Sequence, residues 1–381
     1  MTLDLSVGIE PFLDAQHVAR AQDFVKSASA LDLADHDTTR VLSVLAPLFA
    51  HLVPTQDGGT PSVHGDETRI DLTSLCLLRE AIAYQSPLAD SIFAVQGLGS
   101  HPVVLGSKNA WRGDFLRGVA SGKTVGGFAL TEPEAGTDVA SLRTTARKDG
   151  DAWRLSGEKV FISNVGIAQH FIVFANADVS LGKKGISAFL VDANAPGLTL
   201  EKVAMSLEHP LGRLKMNDCI AKDMVGDLGQ GLRLALGTLD VFRASVGAAA
   251  CGMARRALDE SIARVKSRVQ FGKPLADLQL TQAALADMAT ELDASRLLVY
   301  RAAWEKDRGL SRPSSVAMAK MQATEGAQRI IDRAVQLHGG LGVTSGTAVE
   351  QLYREIRPLR IYEGTTEIQK LIIGSALVKQ A

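Results

Sequence analysis

Apolar positions recur at helical spacing in the first third of the chain, alternate in the middle, and return to helical spacing to the end. Phe12, His17, Phe24 and Val25 fall at loose helical spacing. Leu42, Leu45, Leu48 and Phe49 make a clearer apolar face, with Leu52 after them. The run Gln56-Asp-Gly-Gly-Thr-Pro61 is a turn. Helical patterns resume from Asp71 through Ala94 and again through Leu116 and Val119, so residues 11–122 read as mostly helical. The texture changes near Lys123. From Val125 to about Val225, Trp153–Leu155, Val160–Ile162, His170–Phe174 and Ile186–Val191 predict strands, and Asp149-Gly-Asp, Asn164-Val-Gly and Pro196-Gly predict their turns. No helix-length pattern lies inside this block. After Gly226-Asp-Leu-Gly-Gln-Gly231, long amphipathic runs cover Leu232–Lys266, Leu280–Lys306 and Ser314–Leu337. In the first, Ala244, Gly247, Ala248 and Gly252 permit close helix packing; in the second, Leu285, Met288, Leu292 and Val299 form one stripe.

This order predicts an α+β fold with domains at 1–122 (helical), 123–228 (β) and 229–381 (helical bundle), and it excludes the alternating βαβ order of a doubly wound sheet. The Gly-x-Gly at Gly229 and Gly231 follows no evident strand and is no dinucleotide fingerprint. A length of 381 residues accommodates two or three domains, and 46% hydrophobic with 22% charged residues is ordinary globular composition. The net charge of −1 supplies no long-range attraction to nucleic acid or anionic membrane. Cys76, Cys219 and Cys251 have no metal or redox spacing and read as reduced residues of a cytoplasmic protein. The first ten residues resemble neither an export signal nor a transit peptide, and no apolar run is expected to span a bilayer.

Four stretches could carry chemistry. Thr131-Glu-Pro-Glu-Ala-Gly-Thr-Asp138 puts hydroxyls and turn-held amides around a glycine, either a plain surface turn or a nest for phosphate or the polar edge of a heterocycle. Its carboxylates would repel phosphate, so they should face away and hold the turn. Arg268-Val-Gln-Phe-Gly-Lys-Pro274 is either helix-end chemistry or a pyrophosphate clamp. Gln336-Leu-His-Gly-Gly-Leu-Gly342 is either a helix cap or a site of close backbone approach; His338 lacks a partner at recognisable spacing and reads as a packing residue. Ile361-Tyr-Glu-Gly-Thr365, after the helix-breaking Pro358, sets one carboxylate between an aromatic and a glycine.

Together, in this order and at this spacing, the run Leu130–Asp138, Arg268-x-x-Phe271-Gly272, Gln336-x-x-Gly339-Gly340-x-Gly342 and Tyr362-Glu363-Gly364-Thr365 resemble the landmarks of the acyl-CoA dehydrogenase family, with similarity from about Val125 to Leu377. The resemblance implies an N-terminal helical domain, a central β domain, a C-terminal four-helix bundle, bound FAD and a homotetramer. It implies that Phe128, Leu130 and Thr131 line the flavin ring, that Gly136 and Thr137 lie near its pyrophosphate (Thr137 also near substrate), and that Phe161 and Ser163 lie on the ring's other side. Arg268, Phe271, Gln279, Gln336, Gly339 and Gly340 would meet the FAD of a neighbouring subunit. Thr365 and Glu367 would follow the adenosine-side phosphates, and Asp240, Arg243 and Gly364 would touch the acyl-CoA.

The implied reaction removes the α-proton and β-hydride of an acyl thioester, giving the 2-enoyl-CoA. Glu363, beside Tyr362 and Ile361, is the implied base, in a dry site that raises its pKa. Backbone N–H of that Glu and a ribityl hydroxyl of FAD would stabilise enolate charge. Some members carry the base just before the position of Arg243; here that residue is Phe242, which takes no proton. Phe161 stands where Trp is common, and Glu208–Lys215 replaces a more usual loop. Asp90 aligns with the Arg by which glutaryl-type members hold a distal carboxylate, which disfavours a dicarboxyl-CoA. Straight, branched, alicyclic and aryl acyl groups stay open. Electrons would pass to an electron-transferring flavoprotein; the rivals are an oxidase using oxygen and a non-catalytic flavoprotein that binds nucleic acid, which the net charge disfavours.

Overall fold

The computed structural model describes residues 3–206 and 208–380; Met1, Thr2, Leu207 and Ala381, which the predicted domains include, lie outside the described residues. In chain order the elements are α1 (Ala15–Ala28), α2 (Thr38–Leu45), α3 (Leu72–Gln85), α4 (Pro87–Gly106), α5 (Arg112–Ala120), β1 (Gly126–Ala129), β2 (Thr145–Asp149), β3 (Ala152–Ser163), β4 (His170–Asn176), β5 (Ile186–Asp192), β6 (Leu198–Lys202), β7 (Leu211–Ala221), β8 (Asp223–Val225), α6 (Gly231–Ser267), β9 (Val269–Gln270), β10 (Lys273–Pro274), α7 (Gln279–Asp307), α8 (Pro313–His338), α9 (Ala348–Glu355) and α10 (Thr366–Gln380). The α+β order of helices, sheet and helices is as the sequence predicts. The chain forms two compact units. One holds the residues up to His36, Asp71–Asp90 and everything from Arg243; the other holds Asp37–Ile70 and Ser91–Phe242.

In the first unit α7 and α10 pack on α8, and α1 and α7 pack on α3. The small residues of α6 do what their size suggests. A Cβ on Gly247 would lie 2.7 Å from Val299 Cγ2 and 3.3 Å from Ala323 Cβ, and one on Gly252 would run into the Glu80 carbonyl. Ala- and Gly-rich α6 is long and apolar enough to cross a membrane by composition, against the sequence expectation; 67% of its apolar window is buried inside the protein, as in a core helix. A buried network ties the chain start to this bundle. Arg296 Nε donates to Glu80 Oε1 (2.8 Å), Tyr300 Oη to Glu80 Oε2 (2.6 Å), and the Arg296 guanidinium to the carbonyls of Leu5 and Val7 (2.6 Å each). Asp307 satisfies the free amides that open α3, accepting from Leu72 N and Thr73 N at 2.8 Å.

In the second unit the sheet order is β6-β7-β3-β2-β4-β5-β8, with β1 added parallel to β4. β4 reads as a continuous apolar run because both its faces are buried: Phe171 and Val173 join one core cluster, Ile172 and Phe174 the other. Three sequence expectations change here. β1 was missed because its first two residues are glycines, poor strand formers; they are needed, since a Cβ on Gly126 or Gly127 would lie 2.6 Å from the ring of His170 or Phe171. The supposed loop at Glu208–Lys215 is strand from Leu211 onward, where Leu214 and Met216 point inward against exposed Arg213 and Lys215. A strand, β8, does precede Gly229 and Gly231, but both glycines serve packing: a Cβ on Gly231 would lie 2.5 Å from the Ser187 carbonyl carbon.

Candidate active site

Glu363 lies in the turn between Pro358, in a 3-10 turn at Arg357–Arg360, and α10. Glu363 and Gly364 both take left-handed conformations, with φ of 54° and 90°. Glycine adopts this readily; glutamate does so at a cost of about 1 kcal/mol, so something must hold it. Three side chains of the same unit do. Lys320 Nζ donates to the Gly364 carbonyl at 2.8 Å, Gln369 Nε2 donates to the same oxygen at 2.9 Å and to the Glu363 carbonyl at 3.4 Å, and Arg243 Nε donates to the Glu363 carbonyl at 3.3 Å. The φ of Gly364 strains any other L residue, and a Cβ there would stand 2.6 Å from Gln369 Nε2 and press on the amide that holds the turn. Thr365 Oγ1 accepts from Ile368 N at 3.4 Å in the first turn of α10, and Thr366 Oγ1 donates to Glu325 Oε1 at 2.6 Å.

The backbone of Glu363 is therefore fixed while its carboxylate is left open. Oε2 is buried and has no hydrogen-bond partner among the described residues. Burial pushes this carboxyl above its ordinary range; the charges of Arg79, Arg243 and Lys320 pull the other way without cancelling it, and Asp90 adds to the rise. Lys320 is fully buried, and burial pushes its ammonium down to about 8 despite the nearby Glu363.

Sequence reasoning missed Arg79, Lys320 and Gln369. Arg79 Nε and Nη2 grip Asp90 at 2.9 and 2.7 Å, and Nη1 donates to Ser245 Oγ at 2.8 Å; the pair is wholly buried. Asp90 therefore pairs with Arg79, a feature that its alignment with the glutaryl-type Arg does not foretell. The available signal was an Arg in the apolar run Leu75-Cys-Leu-Leu-Arg79 and a Lys in Val316-Ala-Met-Ala-Lys320. Charges on apolar faces are kept only when partnered.

The second unit carries the candidates from Phe128 to Ser163. Glu132 and Ala135 exchange backbone hydrogen bonds of 3.0 and 3.2 Å across a tight turn. The Glu132 carboxylate faces inward, as expected of a turn-holder. It accepts from Arg143 N (2.6 Å), Thr144 N (3.0 Å) and buried Lys159 Nζ (2.7 Å), and Lys159 also donates to the Leu130 carbonyl at 3.0 Å. Burial works to raise the Glu132 carboxyl, but the Lys159 charge and these hydrogen bonds outweigh it and hold it below the usual range. The Leu130 side chain is buried in the core, so this residue presents only backbone; Phe128 is half-buried against Phe174. Gly136 and Thr137 are exposed, and a Cβ on Gly136 would meet nothing. Thr131 O accepts from Val160 N at 2.9 Å, joining the turn to β3. There the register with β7 shifts between Lys159 and Ile162, and Phe161 is thrown outward with φ of 56° and 66% exposure. Ser163 ends the strand, half-buried.

Arg268, Phe271, Gln279, Gln336, Gly339, Gly340 and Glu367 are all exposed. Phe271 and Gly272, with φ of 50° and 76°, form the two-residue loop between β9 and β10, a primed hairpin turn rather than a helix end, and Phe271 is 92% exposed. Asp240 and Arg243 are half-buried on α6, and Phe242 is fully buried against His101. His338 bonds the Ala334 carbonyl at 2.8 Å, a packing contact as expected, and all three cysteines are free and buried.

Residues 127–219 match the acyl-CoA dehydrogenase middle domain and residues 229–378 its C-terminal domain. The chain belongs to the acyl-CoA dehydrogenase family. It is an oxidoreductase of the kind that acts on CH–CH groups. It is 38% identical to the caffeyl-CoA reductase–Etf complex subunit CarC of Acetobacterium woodii, over 87% of each chain. Its fold matches butyryl-CoA dehydrogenase from Megasphaera elsdenii with a TM-score of 0.86 and 32% identity, over 99% of this chain and 100% of that one. It also matches an acyl-CoA dehydrogenase complexed with FAD from Bacillus anthracis, with a TM-score of 0.86 and 26% identity, over 97% of this chain and 68% of that one.

Proposed function

We propose that the protein is an FAD-dependent acyl-CoA dehydrogenase in which Glu363 removes the α-proton of an acyl-CoA thioester to give the 2-enoyl-CoA. The observation that carries this reading is the unpartnered, buried Oε2 of Glu363 on a backbone that three side chains hold in a left-handed turn. An α-C–H is a weak acid, so its base needs a raised pKa and a fixed position. Burial supplies the first and the turn supplies the second.

The residues fit FAD. Phe161, aimed outward on its bulge, offers an aromatic face for the ring; Leu130 and Thr131 offer turn backbone, and open Gly136 and Thr137 leave room for phosphate. FAD, when bound, supplies the two-electron acceptor for the β-hydride. Arg243 and Asp240 serve the acyl-CoA. The chain also presents unusually bare apolar side chains in the first unit: Phe271 at 92%, Leu280 at 87% and Val343 at 73% exposure. Together with exposed Arg268, Gln336, Gly339 and Gly340 they suit burial against a second copy, in a homotetramer that shares its cofactor sites. The similarity to an Etf-complex subunit favours an electron-transferring flavoprotein over oxygen as acceptor.

The test is anaerobic titration of the purified, FAD-loaded protein with straight, branched, alicyclic and aryl acyl-CoA thioesters. One class bleaches the flavin band. A flavin band that no thioester bleaches contradicts the proposal.

A further inference from the structure

The loop that carries Glu363 has a buried lysine at its back whose charge the reaction does not consume. Lys320 sits on α8, forty-three positions before Glu363, among buried Val316, Ala317, Ala319 and Ala323. Its ammonium donates not to a carboxylate but to the carbonyl of Gly364, at 2.8 Å. That is an unusual use of a buried ammonium, which is normally neutralised by an acid at contact distance, as Lys159 is by Glu132. Here no acid bonds the ammonium among the described residues; the negative charge that acts on Lys320 most strongly is Glu363 itself, with smaller contributions from Glu325 of the same helix and Glu367 of α10, and Arg243 of α6 opposes them.

We propose that Lys320 is the positioning residue of the catalytic loop: its ammonium, bonded to the Gly364 carbonyl, locks the left-handed Glu363-Gly364 turn and sets a fixed positive charge beside the base without bonding to it. The inference rests on Glu363 acting as the base. The geometry explains why an amine stands here. A direct bond from Lys320 to the carboxylate would tie up the oxygen that must take the proton. A bond to the next carbonyl fixes the same loop and leaves Oε2 free. Gln369 shares the Gly364 oxygen at 2.9 Å but brings no charge, so it secures the turn and leaves the field to Lys320. Around Glu363 the other charges are Arg79 of α3 and Arg243 of α6, both positive, and Asp90 of α4, negative; Arg79 is itself spent on Asp90.

A charge in this place has a signature that a purely structural lysine lacks. Turnover requires Glu363 ionised and Lys320 protonated, so the rate is bell-shaped in pH. Its alkaline limb falls near pH 8, where burial places the Lys320 ammonium. The experiment measures flavin reduction in single turnover across pH, with the FAD-loaded protein and the best acyl-CoA of the panel, for wild type, Lys320→Gln and Lys320→Met. Gln keeps a neutral donor for the carbonyl; Met keeps neither charge nor donor. The expected result is that both variants lose the alkaline limb near pH 8 and shift the acid limb upward by about one pH unit, since the carboxylate has lost a favourable charge. At pH 7 the rate falls about tenfold in Lys320→Gln and further in Lys320→Met. A wild-type profile with no alkaline limb near pH 8 overturns the proposal, and this needs no variant to fold. So does a Lys320→Gln or Lys320→Met protein with both limbs where wild type has them. Glu363→Gln, run alongside, separates the two failures: retained reduction there removes the base itself, whereas lost reduction there with unchanged Lys320 profiles removes only the role of Lys320.

Discussion

The two acidic turns of this chain, around Glu132 and around Glu363, use the same parts to opposite ends. Glu132 is buried and Glu363 is half-buried with its Oε2 buried, and each turn has a fully buried lysine. Around Glu132 the lysine, Lys159, bonds the carboxylate, two backbone amides complete it, and the carboxyl is held below its ordinary range. Around Glu363 the lysine, Lys320, bonds a backbone carbonyl, Oε2 is left without a partner among the described residues, and the carboxyl is pushed above its ordinary range. Whether the lysine reaches the acid or the backbone decides whether a buried carboxylate is a fastener or a base. Glu132 shapes the turn that presents Leu130 and Thr131; Glu363 is shaped by its turn and kept available.

This contrast can be broken at the lysines first. Lys159→Met leaves Glu132 charged and buried with only amide partners, and it should cost about 3 kcal/mol of stability. Lys320→Met leaves only a carbonyl short of one bond, which Gln369 still serves, and should cost about 1 kcal/mol. Urea unfolding of the two variants beside wild type measures both; equal losses would dissolve the distinction.

A finer test makes one substitution at both acids. Glu132→Gln strands the buried Lys159 ammonium without its counter-charge and should lower stability at pH 7 by about 3 kcal/mol. Glu363→Gln removes a charge the fold resists and should raise stability by about 1 kcal/mol, the usual exchange between stability and activity. The pH dependence follows in sign. Glu132 has its folded pKa below the ordinary 4.5, so its contribution is present above that value and is lost as pH falls through the folded one. Glu363 has its folded pKa above 4.5, so its cost is full well above the folded value and fades as pH falls toward it. The gain from Glu363→Gln should therefore shrink on acidification before the loss from Glu132→Gln does. Unfolding midpoints from pH 7 to pH 4 would show the order, and shifts of the same sign at pH 7 would contradict it.

Much of the frame was legible in the sequence because periodicity reports burial. The predicted β block from Val125 to about Val225 contains every strand from β1 to β8, and the three long runs after Gly231 became α6, α7 and α8. Within that block only β3, β4 and β5 were named as strands; the short β2, β6 and β8 were not, nor were β1, whose glycines make room for His170 and Phe171, and β7, whose alternation is interrupted by a bulge at Asp218 with φ of 49°. The candidate site was legible as motifs and not as a mechanism. Phe161, Phe271 and Glu363 were singled out as residues; that all three are non-glycine residues in left-handed backbone, aimed by a bulge, a hairpin and a helix-leading turn, is visible only in three dimensions. Arg79 and Lys320 were missed because each acts across elements far apart in the chain, where neither spacing nor pattern connects them; Gln369, five and six positions from the carbonyls it bonds, was missed because the pattern does not show the turn folding back over it.

The account stands or falls on Glu363 as the base. The direct measurement is the rate of flavin reduction by a saturating acyl-CoA, wild type against Glu363→Gln, with FAD content and thioester binding measured on the same samples. The account predicts that the variant holds FAD and binds the thioester like wild type while its reduction rate falls by about 10³-fold or more. Reduction of Glu363→Gln at a rate near wild type would contradict it.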